Sequence, residues 1–560
     1  MIASFLVLFL ACFPQSASTQ TDADQVADAK KSYGQQDWAE ILRLAPPGEG
    51  HPAELDFYRG LALARLKRWD EAKTAFETGR LKAPGDKRFP EELAGIAYQE
   101  KDFRRAQFYL KQALKLDPQD SYARDFLATL YFLDGNLDAT LLNWNRAGKP
   151  KVTEVKFEPQ LQTNPTLLDR AFSFSPLSVL RLEELRTTRA RLDNLGIFPD
   201  YKFELRPESN EAYSVALHAT ERNAWGDSRL EAVLSVFRGV PYQTVYPEYY
   251  NLRHSAMNVT SLIRWDAQKR RAALSLSSPL EQDPKWRFRV YVDGRNENWD
   301  IRQTLQAATS PISGLKLEKV EAGAEVLSVV SGRWSWQTGF SLTDRKFLNF
   351  SGVLPQAARF FTSGLSVAQR AGVTYRVFDD PERRMRLETS GSARIGKVFA
   401  EPLGAFGQIR GSLAFHWLPQ RTGDDYEMTS RFRAGRTLGL VPFDELFQLG
   451  VERDNDLWLR GHAGTQDGKK GSAPMGRIYL LWNWEMDKIA FQNGLFTVKV
   501  GPFVDMGRIS DPSRDFVNSG FLVDPGAQCK VRVLGAVTVV FSYGRNLHSH
   551  RNAFYATALH

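Results

Sequence analysis

The residues best suited to chemistry lie near the C-terminal end, in "DNDLWLRGHAG" at 454–464 and "GPFVDMGRIS" at 501–510. A guanidinium is always charged and forks onto a carboxylate in one plane, so Arg460 followed by Gly461 can serve as a point of attachment. Candidate partners sit on alternating runs. In "GRIYLLWNWEM" Ile478, Leu480, Trp482 and Trp484 share an apolar face, which leaves Glu485 with Arg477 and Asn483 on the polar one. In "LFTVKVGPFVDMG" Asp505 shares its face with Thr497 and Lys499, opposite Phe496, Val498 and Val500. Arg460 meeting Asp505 and Glu485 would hold a loop in place, and Gly461 and Gly464 would let the backbone turn sharply beside it. Each string alone also reads as a solvated loop arginine or one more polar carboxylate. Groups suited to turnover are missing from the string: "GKKGSAP" lacks nucleotide-loop spacing, no His-Glu-x-x-His occurs, and His548 and His550 lack a third ligand. A non-enzyme without metal or cofactor is expected.

The elements that must position these residues fall in a β-rich region, 222–560. "WRFRVYVDG" puts Trp286, Phe288, Val290 and Val292 opposite Arg287, Arg289, Tyr291 and Asp293. "RWSWQTGFSL" and "QIRGSLAFHW" alternate in the same way. Aromatics recur near strand ends, and no regular helical segment is available to cover an apolar sheet face. An antiparallel transmembrane β-barrel follows, with about 21 residues for each of sixteen strands. Both carboxylates should then point into its lumen. Cys529, with Val531 and Val533, should face lipid.

Three further segments precede the barrel. Residues 1–19, with an apolar run from Ile2 to Phe13 and small residues at 16–18, read as a signal peptide for export. Over 20–150 a 34-residue shift carries Ala72 onto Ala106 and Pro84 onto Pro118, with a third copy around Tyr131 and Gly135. Small residues at helix crossings and proline after the second helix resemble the tetratricopeptide repeat, an α-helical solenoid whose concave face takes peptides or partner proteins. "QDWAEILRLAP" is at most a degenerate first copy. Residues 151–221 offer "VTEVKF", the helical "PLSVLRLEELRTTRARLDNLG", then "YKFELRP" and "YSVALHATE", a small α/β unit.

Composition narrows the rest. At 560 residues the chain has room for several domains, and with 25% charged residues and no long apolar stretch after the N-terminus it is not a bundle of membrane helices. Two cysteines, one of them Cys12 in the leader, leave no internal disulfide in the mature chain. The net charge of +8 suits anionic lipid or a basic pore lining better than nucleic acid, which an exported chain rarely meets.

"RARLDNLGIFPDYKFEL" followed by "YSVALHATE" resembles the end of a POTRA domain. "LRGH" at Leu459, Arg460 and Gly461, and Phe503, Asp505 and Gly507, resemble the loop tip and the Phe-x-Asp-x-Gly strand of the BamA and TamA superfamily of outer-membrane assembly and translocation barrels. His462 stands where that family usually has an aromatic residue, and the chain ends in His560 rather than an aromatic. The resemblance implies an outer-membrane location in a Gram-negative-type bacterium with periplasmic N-terminal domains. It also implies a lumen loop locked by Arg460 and Asp505, unfolded client proteins, and a periplasmic partner on the repeats. Two other readings stay open: a polysaccharide exporter, which also joins such repeats to a barrel, and a membrane-displayed binding scaffold.

Overall fold

The computed structural model describes residues 17–48, 50–208, 212–226, 229–302, 313–352, 358–510, 520–533 and 537–559. Residues 1–16 of the expected leader and His560 lie outside them. The chain divides into two compact units, 1–148 and 149–560.

The described residues of the first unit form helices and the turns that join them. Its helices form pairs: Ala17–Gly34 with Trp38–Leu44, Ala53–Arg65 with Trp69–Lys82, Arg88–Gln99 with Phe103–Leu116, and Ser121–Leu133 with Leu137–Trp144. The 34-residue spacing acts through packing. Ala72 and Ala106 are fully buried, and a Cβ on Gly60 would lie 2.5 Å from the Phe76 ring, so small residues set how closely helices cross. Asp102, Asp120 and Asn136 cap helix N-termini by accepting from backbone N–H groups three residues on. Pro84 and Pro118 fall just after helix ends, where no further helical hydrogen bond is lost. Residues 17–45 form a capped helix pair that buries Ala29, Ile41 and Ala45 against Leu55, Tyr58 and Ala62.

The second unit begins with a small sheet. Strand Ala212–Thr220 lies at its centre, parallel to Lys151–Glu158 and antiparallel to Asp200–Pro207, and helices Pro165–Ala171 and Leu182–Leu195 precede the last two strands. Gly196 ends the second helix in the left-handed conformation.

The remainder is one large antiparallel sheet whose strand order returns to its start as a barrel. Long strands run from Met257–Trp265 to Asn552–Leu559, fourteen in all among the described residues. Outward positions are apolar and bare: Val292 is 50% exposed, Phe340 60% and Ile409 54%, while Arg264, Arg345 and Asp505 turn inward and are buried. Hydrocarbon, rather than water, is the natural surrounding of such a surface. No described helix is long and apolar enough to cross a membrane, which says nothing against strands doing so.

One expectation needs correction at the start of the sheet. The strand before Met257–Trp265 is broken into Thr244–Val245 and Glu248–Leu252. The preceding stretch is a helix, Arg229–Phe237, in a region where no helix was expected. The segment runs along the free edge of the broken strand. Ala224 and Tyr250 exchange backbone hydrogen bonds of 2.8–2.9 Å, Tyr246 N–H donates to the Val236 carbonyl at 2.8 Å, and Arg238 forks onto Glu248 at 2.8 and 3.0 Å. A nine-residue apolar run carries too weak a period to tell helix from strand. In the ring order Asn552–Leu559 comes next to Thr244–Val245, but among the described residues no ladder like those of the other neighbours joins them.

Candidate functional site

Strands Tyr426–Gly439 and Ile478–Gln492 pair directly, from Tyr426 opposite Lys488 to Arg436 opposite Ile478, so residues 440–477 form one long loop between them. The loop folds into the lumen, because its side chains reach strands all round the ring. Asp444 pairs with Arg345 and Lys319, each at 3.0 Å, and Glu445 with Arg394 at 2.8 Å. Asp454 takes Arg264 at 2.8 Å, Arg271 at 2.6 Å and Lys470 at 3.0 Å. Buried ions of this kind are tolerated only when partnered, so each pair fixes a position along the loop.

The tip is fastened most densely. Arg460 Nε and Nη2 donate to the two oxygens of Asp505 at 2.8 and 2.7 Å, and the Arg460 backbone N–H donates to the same carboxylate at 2.8 Å. Nη1 reaches Glu485 at 2.9 Å and the Gln528 carbonyl oxygen at 2.8 Å. The guanidinium carbon lies 3.7 Å from the centroid of the Phe503 ring. Asp505 is fully buried, and Asn483 donates to it at 2.6 Å. Lys530 balances Glu485 at 2.9 Å and Asp487 at 2.7 Å.

Arg460, Asp505, Glu485 and Phe503 thus meet in one cluster. Leu459 is buried among Phe447, Leu449, Leu481 and Ile509, and Gly507 leaves room for it: a Cβ there would stand 3.1 Å from Leu449 and 3.4 Å from Leu459. Gly461 and Gly464 serve close approach rather than a left-handed turn. A Cβ on Gly461 would fall 2.6 Å from the Asp524 carboxyl carbon, and one on Gly544 of the wall 2.5 Å from the Arg460 carbonyl oxygen. Ala72, Pro84, Ala106 and Pro118 belong to the separate helical unit and take no part.

Reading the sequence missed a second anchor. Gly461 N–H donates to Asp524 at 2.6 Å, and the His462 ring lies between Asp524, 2.8 Å from Nδ1, and Asn546, whose amide is 2.8 Å from Nε2. Asn546 donating to Nε2 puts the ring proton on Nδ1, facing the carboxylate. Alternation in "FLVDPGAQCKV" places Asp524, with Gln528 and Lys530, on the face opposite Cys529 and could have exposed this partner; Asn546 follows its strand and carries no such signal. The loop also touches both flanks of the unladdered junction. The Arg453 guanidinium lies 3.9 Å from the Tyr242 ring, and Trp458 meets Tyr555 of the last strand edge to face at 5.5 Å.

A cavity of about 430 Å³ opens beneath the tip, lined by His416, Arg431, Arg433, Trp458, Glu485 and Lys530 among others. Among the described residues no group of three or more His, Cys, Asp or Glu side chains could hold a metal ion. The arrangement positions a loop and presents charge; Asp505, Glu485 and Asp487 are each paired with a cation.

No protein-family model matches the chain, and no curated protein does. Solved structures with a similar outline include BamA from Haemophilus ducreyi lacking POTRA domains 1-3, at 12% identity and TM-score 0.43 over 73% of this chain and 84% of that one. CdiB from Escherichia coli follows at 15% and 0.48 over 74% and 77%, and CdiB from Acinetobacter baumannii at 12% and 0.45 over 73% of each chain. These likenesses concern backbone outline alone.

Proposed function

We propose that the chain is an outer-membrane barrel of the BamA and TamA type that inserts client proteins into the outer membrane or passes them across it. The forked Arg460–Asp505 pair inside the lumen carries this reading. A loop of nearly forty residues, drawn into the barrel and fixed by buried ions, is a device for holding a transport path in one state rather than for surface binding. The junction between Asn552–Leu559 and the broken first strand is the second support. Among the described residues the Asn552–Leu559 side has no ladder to the broken strand, and an unpaired strand edge can take an incoming strand. In this reading the small sheet domain is POTRA-like and offers a further edge, and the helical unit is a tetratricopeptide solenoid that captures clients or a periplasmic partner. The N-terminal domains lie in the periplasm, and Arg460 with Asp505, Glu485 and Gly461 acts as the lumen loop lock.

Depleting the protein in its host and quantifying outer-membrane and surface proteins tests the reading. Broad loss of barrel proteins would mean general assembly, and loss of one exported protein a dedicated translocator. An unchanged proteome with missing surface polysaccharide would overturn the proposal in favour of an exporter. An unchanged proteome after Arg460→Ala, with loss only on truncating the repeats, would leave a binding scaffold.

A further inference from the structure

The junction between the last strand and the broken first strand has two unlike sides. On the last strand, Asn546 N–H donates to the Arg551 carbonyl, and the ladder to Val537–Arg545 continues in the same register down to Leu559. Residues of an antiparallel ladder exchange bonds only at alternate pairs. Ala553, Tyr555 and Thr557 therefore bond to Val537–Arg545, and Phe554, Ala556 and Ala558 turn their N–H and C=O groups toward the junction. Among the described residues no backbone hydrogen bond reaches those three.

The other side is taken by the chain itself. Arg222 N–H donates to the Ile197 carbonyl of the small domain, at the end of the barrel where Asn164 N–H meets the His254 carbonyl. From there the chain climbs beside the broken strand to Gly239, whose carbonyl accepts from Thr244 at the far end. On the way Ala224 and Val236 bond to Tyr250 and Tyr246, the edge an outside strand would need. Helix Arg229–Phe237 buries Ser235 and leaves Leu230, Val233 and Phe237 exposed, as Phe554 is on the last strand. The helix is thus seated on the first strand and leaves the last one bare.

The lumen loop braces the bare side. Its tip binds Asp524, lies against Gly544, meets Asn546 through His462 and supports Tyr555 through Trp458, so the last three strands are all held from within. An edge fixed in one register can direct the pairing of a new strand. Every ladder between wall strands is antiparallel, with apolar residues outward as at Phe554 and Tyr555 turned to the lumen. On the reading of the chain as an inserter of client proteins, we propose that an incoming amphipathic client strand pairs antiparallel with Asn552–Leu559, while the edge of Glu248–Leu252 stays reserved by the chain's own helical segment.

The full chain carrying Cys529→Ser, in liposomes, would be given an outer-membrane barrel protein unfolded in urea, and assembly of that probe followed by its resistance to protease. Ala556→Pro and Ala558→Pro each delete one junction-facing N–H and spare the bonds to Val537–Arg545; each should slow assembly about tenfold, the order expected of one lost backbone bond. A disulfide between Ala224→Cys and Tyr250→Cys, at a pair that exchanges both bonds, pins the segment to the first strand and should leave the rate unchanged. A photo-crosslinking residue in place of Ala556 should capture the probe, and one in place of Tyr249, beside Trp225 on the first strand, should not. Assembly lost on forming the disulfide and restored by reduction, or capture at 249 alone, would overturn the proposal by making the first strand the acceptor. Parental rates in both proline variants, or capture at 556 of a second copy of the chain in place of the probe, would overturn it as well. A parent chain no faster than empty liposomes would instead overturn the insertion reading.

Discussion

The helical unit and the lumen loop are ordered by opposite means. In the helical unit a continuous apolar cluster runs from Phe57 through Phe76 and Phe89 to Tyr131, and small residues decide how near the helices come. In the lumen, the loop tip is held by buried charges whose removal would leave partners stranded. Apolar packing is forgiving of direction and gives bulk stability, whereas a forked ion pair is costly to bury and unforgiving of geometry. The difference teaches that one region is built to persist and the other to occupy a single position that can be left.

Arg460→Ala should break the contrast most deeply. It strands the fully buried Asp505 and destabilises the seated tip by about 3–5 kcal/mol. Limited proteolysis within 450–470 of the folded barrel should accelerate, and client delivery should fall. Arg460→Lys should restore little, because a single ammonium cannot span both oxygens of Asp505. Cleavage unchanged from the parent would show that the tip is held by apolar packing after all.

Phe76→Ala tests the other half. It should lower the stability of the helical unit by about 3–5 kcal/mol, read as an earlier thermal transition, with no change in loop cleavage. A coupled change would join what the two compact units separate.

A smaller effect, about 1–3 kcal/mol, is expected from Gly461→Ala, since the added Cβ collides with Asp524 and the Asn546 backbone. Gly464→Ala is milder, with its nearest contact at 3.0 Å from the Glu452 Cβ. A reversed order of cleavage rates would show that backbone freedom, rather than close approach, is what these glycines supply.

The smallest effect sharpens the comparison by finding a charge in the apolar unit. Burial, together with a hydrogen bond to Asp120, pushes the Glu91 carboxyl up to about 7 from an ordinary 4.5. The folded unit therefore holds this proton after the unfolded chain has released it. Stability from this group is full below about pH 4.5, declines as pH rises and is lost above about 7. Glu91→Gln should flatten the fall in melting temperature between pH 5 and 8; an unaltered slope would place the cause elsewhere.

Much of this was legible without coordinates because it rests on short periods. A two-residue alternation put Glu485 and Asp505 on inward faces, and a 34-residue shift picked out Ala72 and Ala106. His462 shows the limit: it reads as a departure from a motif, yet it lies between Asp524 and Asn546, respectively 62 and 84 residues away. The helix Arg229–Phe237 was missed because a nine-residue apolar run carries too weak a period to set helix apart from strand.

By itself, then, the sequence determined which faces are apolar, which carboxylates turn inward and which small residues mark helix crossings, because these follow from the repeat of the backbone. Only the tertiary structure decided that Arg460 reaches Asp505, Glu485 and Gln528 together, that Gly461 and Gly544 let loop and wall approach, and that the first strand is broken and flanked by a helix. Those outcomes depend on where strands remote in sequence come to lie around the lumen, and no local period records that distance.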